Sequence, residues 1–275
     1  MSDRLSPIGV FDSGVGGLSV LREIRRELPA EDLLYVADSA HAPYGDRDAA
    51  FIRERALAIV ERLNEVPVKA VVVACNTATG LAVDALRARY SLPIVAIEPA
   101  VKPAALQTRS GVIGVLATTQ TLASARFSKL VDTHAASVTV VVQASPGLVE
   151  RVEAGDLSGP ETRALVSRYV DPLVQQGADA IVLGCTHYPF LRDAIEEAAG
   201  PAVQIIDPAV AVAREVRRRL AAVDLLSTSA SAGTERLWTT GPPERTRPVA
   251  ASLWGTDIEV VSMPGEILTE GDSFA

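Results

Sequence analysis

Several residue types that carry cofactor or metal chemistry are scarce in this chain of 275 residues. Lysine occurs only at positions 69, 102 and 129, and none of these lies in a motif at the end of a predicted strand. A pyridoxal phosphate Schiff base therefore has no obvious anchor. The two cysteines, Cys75 and Cys185, lie far apart in the sequence, which disfavours both a Cys-x-x-Cys redox pair and a close pair of zinc ligands.

Basic residues are too few and too scattered to form a nucleic-acid surface. The chain has 26 Lys and Arg against 34 Asp and Glu, a net charge of -8, and no basic stripe. Nucleic acid is therefore not an expected partner. No run approaches the ~20 apolar residues of a spanning helix, and the first residues lack the apolar core of a signal peptide. We expect no membrane association, and a soluble cytoplasmic protein with reduced thiols.

What the sequence does contain is aliphatic strands, because 48% of the residues are hydrophobic but only 4% are aromatic. Two apolar runs, 69–75 and 178–185, each end in a cysteine that is followed by hydroxyl-bearing residues. Each run predicts a buried β-strand. Such strands alternate with helical patterns along the chain, which indicates a parallel α/β sheet.

The strand pattern occurs twice in the same order. Ile8-Gly-Val-Phe11 is echoed by Ile113-Gly-Val-Leu116, the Cys75 run by the Cys185 run, and Ile97-Glu-Pro-Ala-Val101 by Ile206-Asp-Pro-Ala-Val210. Internal repetition of this kind predicts two similar structural units. The expected fold is therefore α/β, with two pseudo-symmetric, doubly wound parallel-sheet domains that face each other across a cleft.

The predicted domains are 1–98 together with 208–275, and 99–207. We assign the C-terminal part to the first domain because Trp238 and Trp254 indicate a packed segment. Residues 265–275 are expected to be disordered. Ligands of doubly wound sheets bind outside the carboxyl ends of the strands, where both cysteines and the loops of Asp12, Asp38 and Thr118 are predicted to lie.

The glycine-rich segment Asp12-Ser-Gly-Val-Gly-Gly17 follows the first strand and precedes a helix. It lacks the lysine of a P-loop. Its spacing differs from the dinucleotide fingerprint, and Asp12 would set a negative charge against a pyrophosphate. We interpret it as a tight turn that presents backbone N–H groups to a carboxylate.

Two thiols on opposite walls of a cleft suit four arrangements. They could form a disulfide redox couple, bind a metal together with His187, or simply be buried structural cysteines. The polar neighbours of both cysteines disfavour a dry core. The fourth arrangement is two-base catalysis, in which one thiolate removes a proton from a carbon and the opposite thiol delivers one to the other face. Asp12 is then the candidate partner of Cys75, and His187 that of Cys185.

Four motifs resemble those of the glutamate racemases in the aspartate/glutamate racemase superfamily. They are Asp12-Ser-Gly-Val-Gly-Gly-Leu, Asp38-x4-Pro43-Tyr-Gly, Ala74-Cys-Asn-Thr-Ala and Gly184-Cys-Thr-His-Tyr-Pro. The likeness runs from residue 8 to about residue 226. It implies an isomerase that interconverts L- and D-glutamate without a cofactor or metal and supplies D-glutamate for bacterial peptidoglycan, hence for cell wall biogenesis and cell shape.

The resemblance also implies residue roles. Cys75 would take the proton from D-glutamate and Cys185 from L-glutamate, with assistance from Asp12 and His187. The residues implied to hold the substrate are Asp12, Ser13, Tyr44, Gly45, Asn76, Thr77, Thr186 and His187. Asp38, Thr118 and Glu153 are further candidates for the site, although a purely structural or solvated role fits Asp38 and Glu153 equally well.

Other functions stay open from the sequence alone. An aspartate racemase of the same superfamily would differ in the size of its pocket. A ligand-binding module would bind without turnover, and a protein-interaction role is a third class. A homodimer is a candidate assembly.

Overall fold

The structure, a computed structural model, describes residues 3–265. Within that part of the chain, strands and helices alternate almost throughout. The strands are β1 (Ile8–Asp12), β2 (Leu33–Ala37), β3 (Ala70–Val73), β4 (Ile94–Ala96), β5 (Val112–Ala117), β6 (Thr139–Ala144), β7 (Ala180–Gly184), β8 (Gln204–Ile206), β9 (Glu235–Thr239) and β10 (Val260–Ser262).

The helices follow the strands in the order expected of a doubly wound fold. They are α1 (Leu18–Glu27), α2 (Ala49–Glu65), α3 (Asn76–Arg89), α4 (Val101–Gln107), α5 (Thr119–Ala123), α6 (Ala125–His134), α7 (Leu148–Glu153), α8 (Pro160–Gln175), α9 (Arg192–Ala199), α10 (Ala209–Ala222) and α11 (Pro243–Trp254). A short 3-10 helix, Tyr188–Leu191, precedes α9. Among residues 3–265, no helix is long and apolar enough to cross a membrane.

Two parallel sheets are built on the same plan. The first has the strand order β10-β9-β2-β1-β3-β4 and the second has the order β6-β5-β7-β8. The order β2-β1-β3-β4 therefore recurs as β6-β5-β7-β8, in the sequence order of the repeat. The predicted fold class, two pseudo-symmetric parallel-sheet α/β units, is confirmed.

The central strands of the two sheets correspond residue by residue. Val10 of β1 lies between Tyr35 and Val72, and Val115 of β5 lies between Val142 and Val182. Strands β1, β2 and β3 of the first sheet are buried at every position, which is why they read as continuous aliphatic runs. Parallel pairing brings the carboxyl ends of β1 and β3 to one edge of the first sheet, and those of β5 and β7 to one edge of the second sheet. The polar residues that the sequence analysis singled out follow these strand ends.

The C-terminal segment joins the first sheet, as the two tryptophans suggested. Strand β9 pairs with β2, and β10 pairs with β9, so the segment extends the sheet that contains β1. Trp238 is buried there. The proposed domain limits at 98 and 207 stay a prediction. The disorder expected for 265–275 concerns residues that, apart from Gly265, lie outside the described part of the chain.

Helix α3 begins directly after Cys75. Its first residue is Asn76, although an apolar helical pattern starts only at about residue 79. Its first turn, Asn76-Thr-Ala-Thr79, is polar and buried, so it does not show helical amphipathicity. This early start makes Cys75 the residue that caps the helix.

Candidate active site

A small pocket of about 250 Å³ lies where the carboxyl ends of the two sheets meet. Both cysteines line it, one from each sheet, so the structure places the two thiols in one site. The lining comprises Ser13, Pro43, Tyr44, Gly45, Cys75, Asn76, Thr77, Thr118, Val149, Cys185, Thr186 and His187. Most of the residues that the sequence pointed to are therefore brought together. Val149, which no motif indicated, completes the wall.

Cys75 caps helix α3 with its sulfur. The Ala78 backbone N–H donates to Sγ at 3.5 Å, and the thiol lies 3.8 Å from Ser13 Oγ. A helix N-terminus favours a negative charge on the capping atom. Burial nevertheless raises the pKa of the Cys75 thiol well above its usual value, and the neighbouring Asp12 charge raises it further. These surroundings therefore favour the neutral thiol at Cys75.

Cys185 lies beside an imidazole. Its Sγ is 3.7 Å from His187 Nδ1, and His187 Nε2 is 2.7 Å from Glu153 Oε1. Burial alone would lower the pKa of His187, but hydrogen bonds with Cys185 and Glu153 outweigh it and hold that pKa well above its usual range. The ring is thus suited to carry a positive charge next to the Cys185 sulfur.

Asp12 lies behind the pocket lining rather than in it. Its side chain is fully buried, Oδ2 accepts a hydrogen bond from Gly17 N at 2.8 Å, and both carboxylate oxygens lie 3.4 Å from Thr186 Oγ1. Burial raises the pKa of Asp12 above its usual value, although the positive charge of His187 opposes the shift. A carboxyl with a raised pKa is a better proton acceptor than an ordinary one.

Glu153 connects the two sheets across the site. Its Oε1 accepts from the Val15 backbone N–H at 2.8 Å and contacts His187, which itself follows β7 of the second sheet. The glycine-rich turn thus does present N–H groups to carboxylates, and these belong to Asp12 and Glu153. A Cβ on Gly14 would overlap Glu153, and one on Gly16 would overlap the His187 ring, so close approach of this turn requires glycine at both positions.

The start of helix α3 presents two polar side chains, Asn76 and Thr77, to the pocket. Both atoms of the Asn76 side-chain amide are buried and have no hydrogen-bond partner. Thr77 Oγ1 lies 3.0 Å from Thr118 Oγ1 and 3.3 Å from Thr121 Oγ1, and Thr118 donates to Thr121 at 2.9 Å. An unpartnered buried amide is costly unless a ligand satisfies it. The sequence analysis did not indicate Thr121, because it is one of several threonines at the start of helix α5 and belongs to no motif.

The comparisons with known proteins agree on one family. The family model for Asp/Glu/hydantoin racemases matches residues 8–216 of this chain. The chain belongs to this racemase family. A glutamate racemase from Stutzerimonas stutzeri is 53% identical over 265 residues, which cover 96% of this chain and 100% of the relative. The chain is accordingly an enzyme of the isomerase class, as the resemblance implied.

Solved racemase structures share the whole architecture. A glutamate racemase isoform from Bacillus anthracis superposes with a TM-score of 0.87 at 34% identity, covering 96% of this chain and 98% of that one. Escherichia coli glutamate racemase, solved in complex with L-glutamate and the activator UDP-MurNAc-Ala, gives a TM-score of 0.81 at 32% identity and covers 94% of this chain and 100% of that one.

Asp38 of this racemase is not among the pocket-lining residues. It is fully buried and forms an ion pair with Arg55. Burial alone would raise the pKa of Asp38, but hydrogen bonds from His41 and Arg55 and the Arg55 charge hold it well below its usual range. A carboxylate held ionised in this way is poorly suited to exchange protons at neutral pH.

Two of the other arrangements considered for the thiols, a disulfide and a shared metal site, have no counterpart among the described residues, although both cysteines are buried. Both cysteines are free thiols. Among residues 3–265, no three His, Cys, Asp or Glu side chains are grouped to hold a metal ion, and both ring nitrogens of His187 already have partners, Nδ1 in Cys185 and Nε2 in Glu153.

Proposed function

We propose that this chain interconverts L- and D-glutamate without a cofactor, with Cys75 and Cys185 as the two bases on opposite sides of Cα. The observation that carries the proposal is the pocket that both thiols line, one from each of two sheets with the same strand order. Racemisation moves a proton between the two faces of one carbon, so it requires one proton-transfer group on each face.

The different surroundings of the two thiols support this assignment. Two-base racemisation needs one thiolate and one thiol at the same time. Cys75, buried beside Asp12, favours the neutral thiol, whereas Cys185 lies against an imidazole whose pKa is raised. These surroundings suit Cys75 as the proton donor and place Cys185 next to a cationic group.

In the proposed reaction of L-glutamate, the Cys185 thiolate takes the α-proton and the Cα–H bond breaks. The electron pair stays on Cα and spreads into the α-carboxylate. Cys75 then donates its thiol proton to the opposite face, which forms the new Cα–H bond of D-glutamate. The resulting Cys75 thiolate accepts a hydrogen bond from Ala78 N and lies next to Asp12, whose raised pKa allows it to exchange a proton with the sulfur. D-Glutamate reacts in reverse.

The assignment of glutamate as substrate is supported by the relatives and by the pocket. The matched relatives are named glutamate racemases, and one was solved with L-glutamate bound. The pocket offers the unpartnered Asn76 amide and the hydroxyls of Thr77 and Thr118 to the carboxylates of such a substrate. The D-glutamate formed would supply peptidoglycan synthesis.

The direct test is circular dichroism of L- or D-glutamate incubated with protein that has been dialysed against a chelator. Both enantiomers should converge on the same racemic mixture, and deuterium from heavy water should enter at Cα from either side. Aspartate assayed in parallel should react far more slowly. Activity lost on chelation and restored by zinc would overturn the mechanism, and binding of glutamate without deuterium exchange would leave only a binding module.

Replacement of His187 by asparagine should weaken proton removal by Cys185 more than by Cys75. Without the imidazolium, the Cys185 thiolate loses a favourable charge, so a higher pH is required to form it. The measurement is the pH profile of HCl elimination from L- and D-configured 3-chloroglutamate. The acidic limb for the L-configured analogue should move to higher pH, and that for the D-configured analogue should move less.

The matched control is His134→Asn, which removes an exposed imidazole at the end of α6 and should leave both profiles unchanged. Equal shifts for the two enantiomers in His187→Asn would contradict a role specific to Cys185.

A further inference from the structure

A cluster of buried polar side chains lies next to the pocket, centred on Asp38. Arg55 donates two hydrogen bonds to the carboxylate, from Nε to Oδ2 at 3.0 Å and from Nη2 to Oδ1 at 2.7 Å. Thr240 Oγ1 donates to Oδ1 at 2.7 Å, the Tyr44 hydroxyl donates to Oδ2, and His41 Nδ1 lies 3.0 Å from Oδ1. Three separate parts of the chain, helix α2, the loop after β2 and the loop after β9, thus meet at one carboxylate.

Arg55 takes no part in the proposed proton transfers. Its charged side chain is nevertheless completely buried. It lies on the apolar face of α2, next to Ile52, Ala56 and Ile59. Burial of a guanidinium is unfavourable unless a carboxylate and further hydrogen bonds compensate for it. Apolar residues of similar volume often stabilise such a position as well or better, so the pair points to a role in fixing the local arrangement of the chain.

The cluster holds the loop that forms one wall of the pocket. Tyr44 lines the pocket, and its buried side chain is anchored to the cluster through the hydroxyl, which donates to Asp38. Gly45 packs on Thr118, the residue that caps helix α5, and Gln120 Nε2 of the same helix donates to the Arg47 carbonyl oxygen at 2.9 Å. The loop is therefore fixed by Asp38, which follows β2 of the first sheet, and its tip meets the start of α5, which follows β5 of the second sheet.

Thr240 adds a second link to the same loop. Its Oγ1 donates to Asp38 and accepts from the Ala40 backbone N–H at 3.2 Å. One hydroxyl thus joins the C-terminal segment both to the central carboxylate and to the backbone of the loop.

We propose that Arg55 and Thr240 are positioning residues for substrate binding: through Asp38 they hold the Pro43-Tyr44-Gly45 wall in the position that binds glutamate. The inference rests on the proposed function, since glutamate is the ligand concerned. It predicts that loss of either residue weakens binding of substrate while the thiols, which these side chains do not contact, retain their chemistry.

The test compares KM, kcat and the pH profile of glutamate racemisation in a small set of variants. Thr240→Val removes the hydroxyl but keeps the shape, and it should raise KM about fivefold with little change in kcat. Thr240→Ser restores the hydroxyl and should restore KM. Arg55→Gln should raise KM by about tenfold or more. Arg55→Lys keeps the charge but not the bidentate hydrogen bonding, and its KM should lie between those of the wild type and Arg55→Gln.

Lys69 provides a matched control at the other end of the same sheet. It is as buried as Arg55, pairs with Glu31 and donates to the Arg4 carbonyl oxygen at 2.6 Å, but precedes β3 and lies outside the pocket lining. Lys69→Gln should lower the melting temperature without changing KM. If Arg55→Gln does not fold, Thr240→Val carries the test.

A Thr240→Val variant with the wild-type KM would overturn the proposal, even if its melting temperature falls as expected for Lys69→Gln. A fall in kcat with a shifted pH profile would overturn it too, since Asp38 would then act in proton transfer. These outcomes differ from failure of the proposed function, in which the wild-type protein itself does not racemise glutamate.

Discussion

Serine in place of either cysteine should abolish racemisation. Each thiol serves one face of Cα, so loss of either one blocks the reaction from both enantiomers. A hydroxyl is far less acidic than a thiol, whose reference pKa is about 8.5, and so it forms the required anion too rarely. We expect kcat to fall at least about 10³-fold in both Cys75→Ser and Cys185→Ser, measured by circular dichroism.

The fold should survive these changes, which separates catalysis from stability. Cys75 is the N-cap of α3, and serine is among the preferred N-cap residues, so Cys75→Ser keeps the helix start. Cys75→Ala loses the cap as well as the base. Cys75→Ser and Cys75→Ala should be inactivated to a similar extent, but only Cys75→Ala should have a lower melting temperature. This result would assign the loss of activity to the missing thiol and not to unfolding.

Each single variant should retain one half-reaction. The enantiomers of glutamate have equal free energies, so kcat/KM must be equal in the two directions and cannot reveal a one-sided defect. Elimination of HCl from 3-chloroglutamate is irreversible: a base takes the α-proton, the electron pair forms the Cα–Cβ double bond, and chloride leaves. Cys185→Ser should eliminate from the D-configured analogue through Cys75, and Cys75→Ser from the L-configured one through Cys185. The same preference in both variants would contradict the two-base mechanism.

The sequence predicted the architecture well because the repeat and the buried parallel strands leave direct signals. Ile8-Gly-Val-Phe11 and Ile113-Gly-Val-Leu116 are the central strands of two sheets with equal strand order. The glycine-rich turn was predicted to present backbone N–H groups to a carboxylate, and in the structure it donates to two. Those carboxylates are Asp12 and Glu153 of the protein itself, and spacing alone could not identify Glu153, which lies on helix α7 and 138 residues from Val15.

The hydrogen-bonded supports of the site were harder to predict. Arg55 did leave a signal, since it occupies the apolar stripe of α2 between Ile52 and Ile59, where a charge implies a buried partner. Thr240 left none, because a threonine after a strand is common and its contact with Asp38 depends on the pairing of β9 with β2. Long-range pairings of this kind follow from the sheet order, which only the structure provides.

Asp12 is the second residue whose change should have a large effect, because it is the fully buried carboxylate beside Cys75. Asp12→Asn keeps the shape and removes both a negative charge and a proton acceptor. We expect racemisation at neutral pH to fall about 10²–10⁴-fold, as for loss of a group that assists proton transfer. Elimination from D-configured 3-chloroglutamate, which Cys75 initiates, should fall in parallel and recover partly at higher pH, where solvent can deprotonate the thiol.

The sign of this effect decides how Asp12 acts. Its charge raises the pKa of Cys75, so a purely electrostatic role would make Cys75 a thiolate more often in Asp12→Asn. D-side elimination would then be as fast as in the wild type or faster at neutral pH, with its acidic limb at lower pH. A fall instead means that Cys75 passes its proton to Asp12. The control is Asp207→Asn, which removes another carboxyl whose pKa burial raises but which lies outside the pocket lining, and it should leave elimination from both enantiomers unchanged.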